Sequence, residues 1–362
     1  MQLEEVPEVI SALMNEAQAA GVFPGAVWAV GDADGVLMRG EVGVLDPSDP
    51  GRAMGPDTIF DVASLTKVAV VWPLIGQLWE RGALALADPL VRHLPETEGF
   101  PLAEVTIHQL LSHTAGLPLR SALQALYGTD PEEIRRGVLQ EALNRPAGTA
   151  VDYTDRAALI LGFVAERHIG LPLDKAVAEL VWQPLGMGDT GYGPLAGAIL
   201  ERCAPTEFDA VICGHLRGVV HDFSSRLLGG VCGVSGVFST IDDLGAFARH
   251  LLAPERLPGV GFGAEWVGES LQVHTGDLAP ERGLFWHPAS SDAPNQDVWM
   301  HTGFTGTALW FSPSRQRWGV LLTNKVFFSR DRGPMNALRD AFRSAVFGDD
   351  REGSSVLRSA AR

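Results

Sequence analysis

Lysine is scarce in this chain. Only Lys67, Lys175 and Lys325 stand among 28 basic residues, against 44 acidic ones, for a formal charge of −16. No cluster of lysine and arginine is present to hold phosphates, so a nucleic-acid partner is excluded as an expectation. Cysteine is also sparse. Cys203, Cys213 and Cys232 are odd in number and fit no C-x-x-C metal pattern. They read as free thiols of a reducing, cytoplasmic compartment. Long apolar runs are missing too: the most apolar stretch, VAVVWPLIGQLW, is interrupted by Pro73 and is too short to span a bilayer. The start of the chain has neither the basic segment nor the apolar core of a signal peptide. The elbow G-x-S-x-G is absent, because Val237 stands where its last glycine belongs, and so are H-E-x-x-H and G-x-x-x-x-G-K. A metal or phosphate-loop enzyme is therefore not expected.

What is present is ordinary globular composition, 46% hydrophobic and 20% charged, over 362 residues. That length suits one large two-lobed unit. Apolar residues recur at helical spacing over residues 3–20. GAVWAVGD and GVLMRGEVGVL read as two strands joined by a turn, followed by a loop, DPSDPGRAMGPD. Residues 65–81 read as a helix with Pro73 placed to kink it. Capped helices follow through the middle of the chain, with Thr106 as one N-cap and Gly116 as a stop. DVWMHTG, GTALWFSPS and WGVLLTNKV are late strands, and GPMNALRDAFRSAVF is a last helix. Strands at both chain ends with helices between them predict an α/β (α+β) two-lobed fold. One antiparallel sheet, built from about 1–63 and 290–347, is flanked by the terminal helices, and a helical lobe of about 64–289 is inserted. Residues 348–362 read as a disordered polar tail.

FDVASLTK places Ser64 three residues before Lys67, one helical turn apart and hence on one face. Two readings stand. The serine is a nucleophile beside unpaired amides at a helix start, with the lysine as its proton acceptor. Alternatively it is an N-cap and the lysine a surface residue. Tyr153, one of three tyrosines, stands in the turn before a strongly periodic helix, either as a proton relay or as an aromatic anchor. HTGFTGT, residues 301–307, is a glycine-bearing strand that would let a substrate backbone approach. There the Phe304 N–H is placed to form an oxyanion hole with the Ser64 N–H. A second copy, His274–Gly276, is followed by Asp and Pro and reads as a loop. LGGVCGVSG, residues 228–236, reads as a tight glycine loop beside the cleft.

Ser64-x-x-Lys67, Tyr153-x-Asp155 and His301-Thr302-Gly303, in that order, resemble the serine β-lactamase and penicillin-binding-protein superfamily. Within it the likeness is nearest to class C β-lactamases, D-Ala-D-Ala carboxypeptidases and family VIII carboxylesterases. TIFDVASLTK, VTIHQLLSHTAGLP, PLGMGDTGY and GVFSTIDDLGAFARHLL strengthen it, and it runs from about Phe23 to Phe347. The resemblance implies that Ser64 is acylated, that Lys67 and Tyr153 relay its proton, and that Ser64 and Phe304 supply the oxyanion hole. Asp155, His301, Thr302 and Gly303 are then substrate-binding, His113 belongs to a structural turn, and neither cofactor nor metal is needed.

Two departures matter. Asp155 replaces the usual Asn, where it either holds Lys67 charged or caps the following helix. His301 replaces the usual Lys, which favours neutral esters or amides over penicillin-like substrates. The expected activity is that of a carboxylesterase on small esters. A D-amino-acid peptidase, a weak β-lactamase and a catalytically silent scaffold are the alternatives. Oligomeric state is not legible.

Overall fold

The computed structural model describes residues 6–119, 123–289 and 297–348. The expected disordered tail, beyond Gly348, lies outside the described residues.

Helix α1 (Val6–Ala19) buries Val6, Ile10, Met14 and Ala17, spaced by roughly one turn and so on one face. Strands β1 (Gly25–Gly31) and β2 (Val36–Asp46) form the expected hairpin, with a register shift between Val30 and Gly31. The segment expected to be only loop carries a third strand, β3 (Asp49–Ala53), paired with β2. Its side chains are mostly exposed, so it lacks the alternating pattern by which a strand is read.

A π-helical turn, Lys67–Val71, leads into α2 (Trp72–Glu80). Pro73 lacks the amide that would reach back toward Ala69, and the Trp182 indole donates to the Ala69 carbonyl instead, at 3.1 Å. Helix α3 (Asp155–Ile169) is buried from Arg156 to Ala165, so it forms the spine of the helical lobe. It ends at left-handed Gly170. Helix α4 (Ile241–Leu252) follows, then strands β4 (His287–Pro288), β5 (Trp299–Thr302), β6 (Ala308–Ser312) and β7 (Arg317–Thr323), and finally α5 (Gly333–Phe347).

The sheet runs β3-β2-β1-β7-β6-β5-β4, antiparallel throughout, so the two chain ends meet where β1 pairs with β7. Both faces of β1 are covered, and all seven of its residues are buried. Helices α1 and α5 seal one face around Trp28, Trp310 and Phe342. Helix α4 packs on the other face, although its sequence position fell within the expected helical lobe. The edge strand β4 likewise precedes residue 290, the expected start of the second sheet segment. The larger core cluster runs without interruption from Val27 and Ala29 of the sheet into α2 and α3. The seam between sheet and helical lobe is therefore stiff, and the candidate site lies on it.

Candidate active site

Ser64 sits in the turn that joins a two-residue strand, Phe60–Asp61, to the π-helical turn. Ala63, just before it, has φ +49°, a left-handed conformation unusual for a residue with a Cβ. Such strain costs roughly 1–3 kcal/mol and persists only where neighbours over-determine it. Here they do. The Val62 amide donates to Val237 O at 3.0 Å, and the Ala63 amide donates to the Asp61 carboxylate at 2.9 Å. The hydroxyls of Thr305 and Thr307 donate to the carbonyls of Asp61 and Val62, at 2.7 and 2.9 Å. The turn after β5 is thus bolted to the serine-bearing turn.

Lys67 follows one turn later and is fully buried. Its ammonium donates to Ser64 Oγ at 3.1 Å and to Val234 O at 3.0 Å, and pairs with Asp155 Oδ1 at 2.8 Å. Those three acceptors match the three protons of an ammonium. The Tyr153 ring stands beside the same ammonium, its centroid 5.5 Å from Nζ. Burial is the largest single influence on Lys67 and pulls its pKa down, but Asp155 and Tyr153 together outweigh it and raise the pKa above the ordinary lysine value. Lys67 therefore rests as an ammonium. Asp155 is not the helix cap. Thr154 takes that role, its hydroxyl accepting from Arg156 N at 3.2 Å and donating to Pro118 O at 2.7 Å. That frees the Asp155 carboxylate, on the first helical residue, to face Lys67.

Tyr153 is 37% exposed at the cleft, and its ring packs against His113 with centroids 4.7 Å apart. Behind it stand buried imidazoles. His301 lies 6.1 Å from the Tyr153 ring and 6.4 Å from His287. Burial pushes His113 and His301 well below the usual histidine pKa, and burial with nearby Arg282 pushes His287 down to about 3. All three are neutral.

The strand residues expected to bind substrate are placed differently. His301 is 2% exposed, with both ring nitrogens buried, and so turns into the protein rather than toward the cleft. Gly303 admits a close approach, but of this chain's own backbone: a Cβ there would meet Val62 O at 2.4 Å and Thr307 Oγ1 at 2.0 Å. Thr302 is half-buried at the end of β5. Phe304 forms the cleft wall in their place, from the turn after β5.

The cleft has a volume of about 450 Å³ and contains Ser64, Tyr153, Asp155, His221 and Phe304, with Arg330 and Arg332 at its edge. A larger, more open depression of about 910 Å³ lies beside Tyr127 and Glu141, away from the serine. Of the two, only the smaller is lined by the nucleophile candidate and the groups around its lysine. Sequence reasoning missed Val234 O, His221 and the two arginines. The glycine loop at 228–236 hinted at the first, since Gly233 lets that loop close on Ala158 of α3. His274, the decoy, lies in a loop and pairs with His108 at 3.1 Å. The three cysteines are free. Among the described residues, no group of three His, Cys, Asp or Glu could hold a metal, and no helix is long and apolar enough to cross a membrane.

A beta-lactamase family model matches residues 10–342. The chain belongs to the beta-lactamase family. Esterase EstB of Burkholderia gladioli is 30% identical over 379 residues, covering 92% of this chain and 94% of that protein. A putative D-alanyl-D-alanine carboxypeptidase of Escherichia coli (strain K12) is 28% identical over 305 residues, covering 74% and 69%. Among solved structures, EstCE1, a hydrolase with promiscuous acyltransferase activity, superposes with a TM-score of 0.75 at 20% identity, covering 95% of this chain and 99% of that one. An octameric penicillin-binding protein homologue from Pyrococcus abyssi gives 0.72 at 19%, covering 91% and 76%. These two establish the shared fold. Membership makes the chain a serine hydrolase of the beta-lactamase-related type.

Proposed function

We propose that this protein is a carboxylesterase on small esters, working through an acyl-enzyme on Ser64. The contact that carries the reading is the 3.1 Å hydrogen bond from Lys67 to Ser64 Oγ, with Asp155 and Tyr153 on the same ammonium. Because Lys67 rests charged, it has no lone pair with which to take the serine proton. The acceptor this step requires is the Tyr153 oxygen as a phenolate beside the Lys67 ammonium, which stabilises the negative charge that the two oxygens share during transfer. Tyr153 then returns the proton to the leaving alcohol. The amides of Ser64 and Phe304, which donate to no other group among the described residues, hold the tetrahedral oxyanion.

The esterase preference is supported by the near full-length likeness to EstB and by a neutral His301, which leaves β5 without the cation expected for a carboxylate-bearing substrate. A second reading, a D-amino-acid peptidase, draws on the E. coli relative and on Arg330 and Arg332, whose guanidinium groups at the cleft edge suit a free carboxylate. The three free thiols, two of them buried, fit a reducing, cytoplasmic setting.

Labelling by a fluorophosphonate, together with turnover of p-nitrophenyl esters, D-alanyl amides and nitrocefin, tests the reading. Ester turnover and labelling should vanish in Ser64→Ala and nearly vanish in Lys67→Ala. Lys67→Ala at near-normal rates would refute the relay. No labelling at all would favour a silent scaffold.

A further inference from the structure

We propose, on the acyl-enzyme reading above, that Arg282 is a positioning residue of the site: its guanidinium stabilises the negative charge that the Tyr153 oxygen carries when it accepts the serine proton.

Two cations lie close to the Tyr153 ring. Lys67 Nζ is 5.5 Å from the ring centroid, and Arg282 Cζ is 5.8 Å from it. They differ in what else they hold. Lys67 is paired with Asp155 at 2.8 Å. Arg282 forms no ion pair with an Asp or Glu among the described residues, not even with Glu281 beside it in the chain. Its side chain is mostly buried, and its Nε is cut off from water without a hydrogen-bond partner. A guanidinium does not give up its proton, so a buried one calls for an opposite charge. Burial works against the charge on Arg282, and Tyr153 is the group that works for it.

The segment that carries Arg282 is well anchored. The Arg282 amide donates to Thr275 Oγ1 at 3.3 Å, and its carbonyl accepts from the His274 amide at 2.7 Å. Three residues on, the Phe285 amide donates to Leu111 O at 2.8 Å. The Phe285 ring stacks on His113, which packs on Tyr153. One segment therefore holds both the cation and the stack behind the phenol.

Charge balance decides what this cation does. With Tyr153 protonated, Lys67 and Asp155 cancel and Arg282 is left as an unbalanced positive charge. With Tyr153 as phenolate, the four groups sum to zero. The other groups around the ring do not supply that balance. His113, His287 and His301 are neutral. Arg330 and Arg332 stand exposed at the cleft edge, where water screens them. The phenolate takes the Ser64 proton as Oγ bonds to the acyl carbon, and the phenol returns it to the alcohol as the ester bond breaks. Arg282 exchanges no proton and sets the pH at which the phenolate is present.

Ultraviolet titration of tyrosinate, with the pH dependence of kcat/KM on p-nitrophenyl acetate, tests this. The chain has three tyrosines, and burial pushes the pKa of the other two, Tyr127 and Tyr192, upward. The first tyrosine to ionise in the wild type should be Tyr153, and Tyr153→Phe should remove that step. Arg282→Gln should move the step up by about one pH unit or more, as loss of one opposite charge does. The acid limb of kcat/KM should move with it, which lowers the rate on that limb about tenfold. Arg282→Met, which keeps the apolar stem, should behave alike and serves if the Gln variant does not fold. Arg282→Lys keeps the charge and should hold the step and the limb near their wild-type positions. An unmoved tyrosine step in the neutral variants, a lower rate with an unmoved profile, or a Lys variant that titrates like them overturns the inference. The titration needs no turnover. If wild type neither turns over nor forms an adduct that disappears in Ser64→Ala, while the tyrosine step still moves in Arg282→Gln, it is the acyl-enzyme reading that fails.

Discussion

Replacing Asp155 by Asn removes the carboxylate from a buried ammonium and leaves its shape in place. The Lys67–Asp155 contact is 2.8 Å, and Lys67 is fully buried. Removing one partner of a fully buried pair costs about 3–5 kcal/mol. Asp155 is 52% exposed, however, so water screens its side of the pair. A discounted loss of about 1–2 kcal/mol is expected. Ser64 Oγ and Val234 O still accept from Nζ, which argues for the lower end. In the wild type the Lys67 pKa is raised above 10.5, so its contribution to stability is complete below 10.5 and is lost as pH climbs through the higher folded value. In the variant the effect of burial is less opposed and the pKa moves down. The stability gap is then widest at neutral pH, where both proteins hold Lys67 charged, and closes in alkali. Urea unfolding at neutral and alkaline pH measures the gap. The pH dependence of kcat/KM on p-nitrophenyl acetate should show an alkaline decline in the variant that begins well below any in the wild type. A stability loss under about 0.5 kcal/mol, the scatter of ordinary surface changes, with superimposable pH profiles, would refute the claim that Asp155 holds Lys67 charged.

Gly303→Ala should destabilise the fold by about 2 kcal/mol or more and abolish labelling, since its Cβ would strike the Val62 carbonyl at 2.4 Å and spread the two turns that form the site. Urea unfolding with fluorophosphonate labelling checks both. Glu141→Ala should cost about 3–5 kcal/mol. It removes the carboxylate that accepts from buried Arg156 Nε at 3.0 and 2.9 Å, and with it the acceptor of the Tyr127 hydroxyl. A change below about 1 kcal/mol would show that water replaces the carboxylate there.

The sequence determined what depends on near neighbours. Ser64 and Lys67 share a face because three residues make nearly one turn, and Thr106 caps its helix through a box closed by Gln109, three residues on. The meeting of both chain ends in one sheet was legible from apolar strand runs at each end. Tertiary structure decided the rest. His301 was read as facing substrate, but strand alternation and the cover of His287 and Tyr153 turn it inward, and which face is covered is not written in β5 itself. Asp155 or Thr154 as helix cap was ambiguous locally, and the position of a lysine 88 residues earlier in the chain separates their roles. Val234 contributes a backbone carbonyl, which no side-chain motif records. Asp61 and His221 are 160 residues apart, and only the folded chain brings the His221 amide to the Asp61 carboxylate, at 2.8 Å. Charge state follows the same division. Residue type sets the reference pKa, while burial and the partners brought in by folding decide that Lys67 is an ammonium and His301 is neutral.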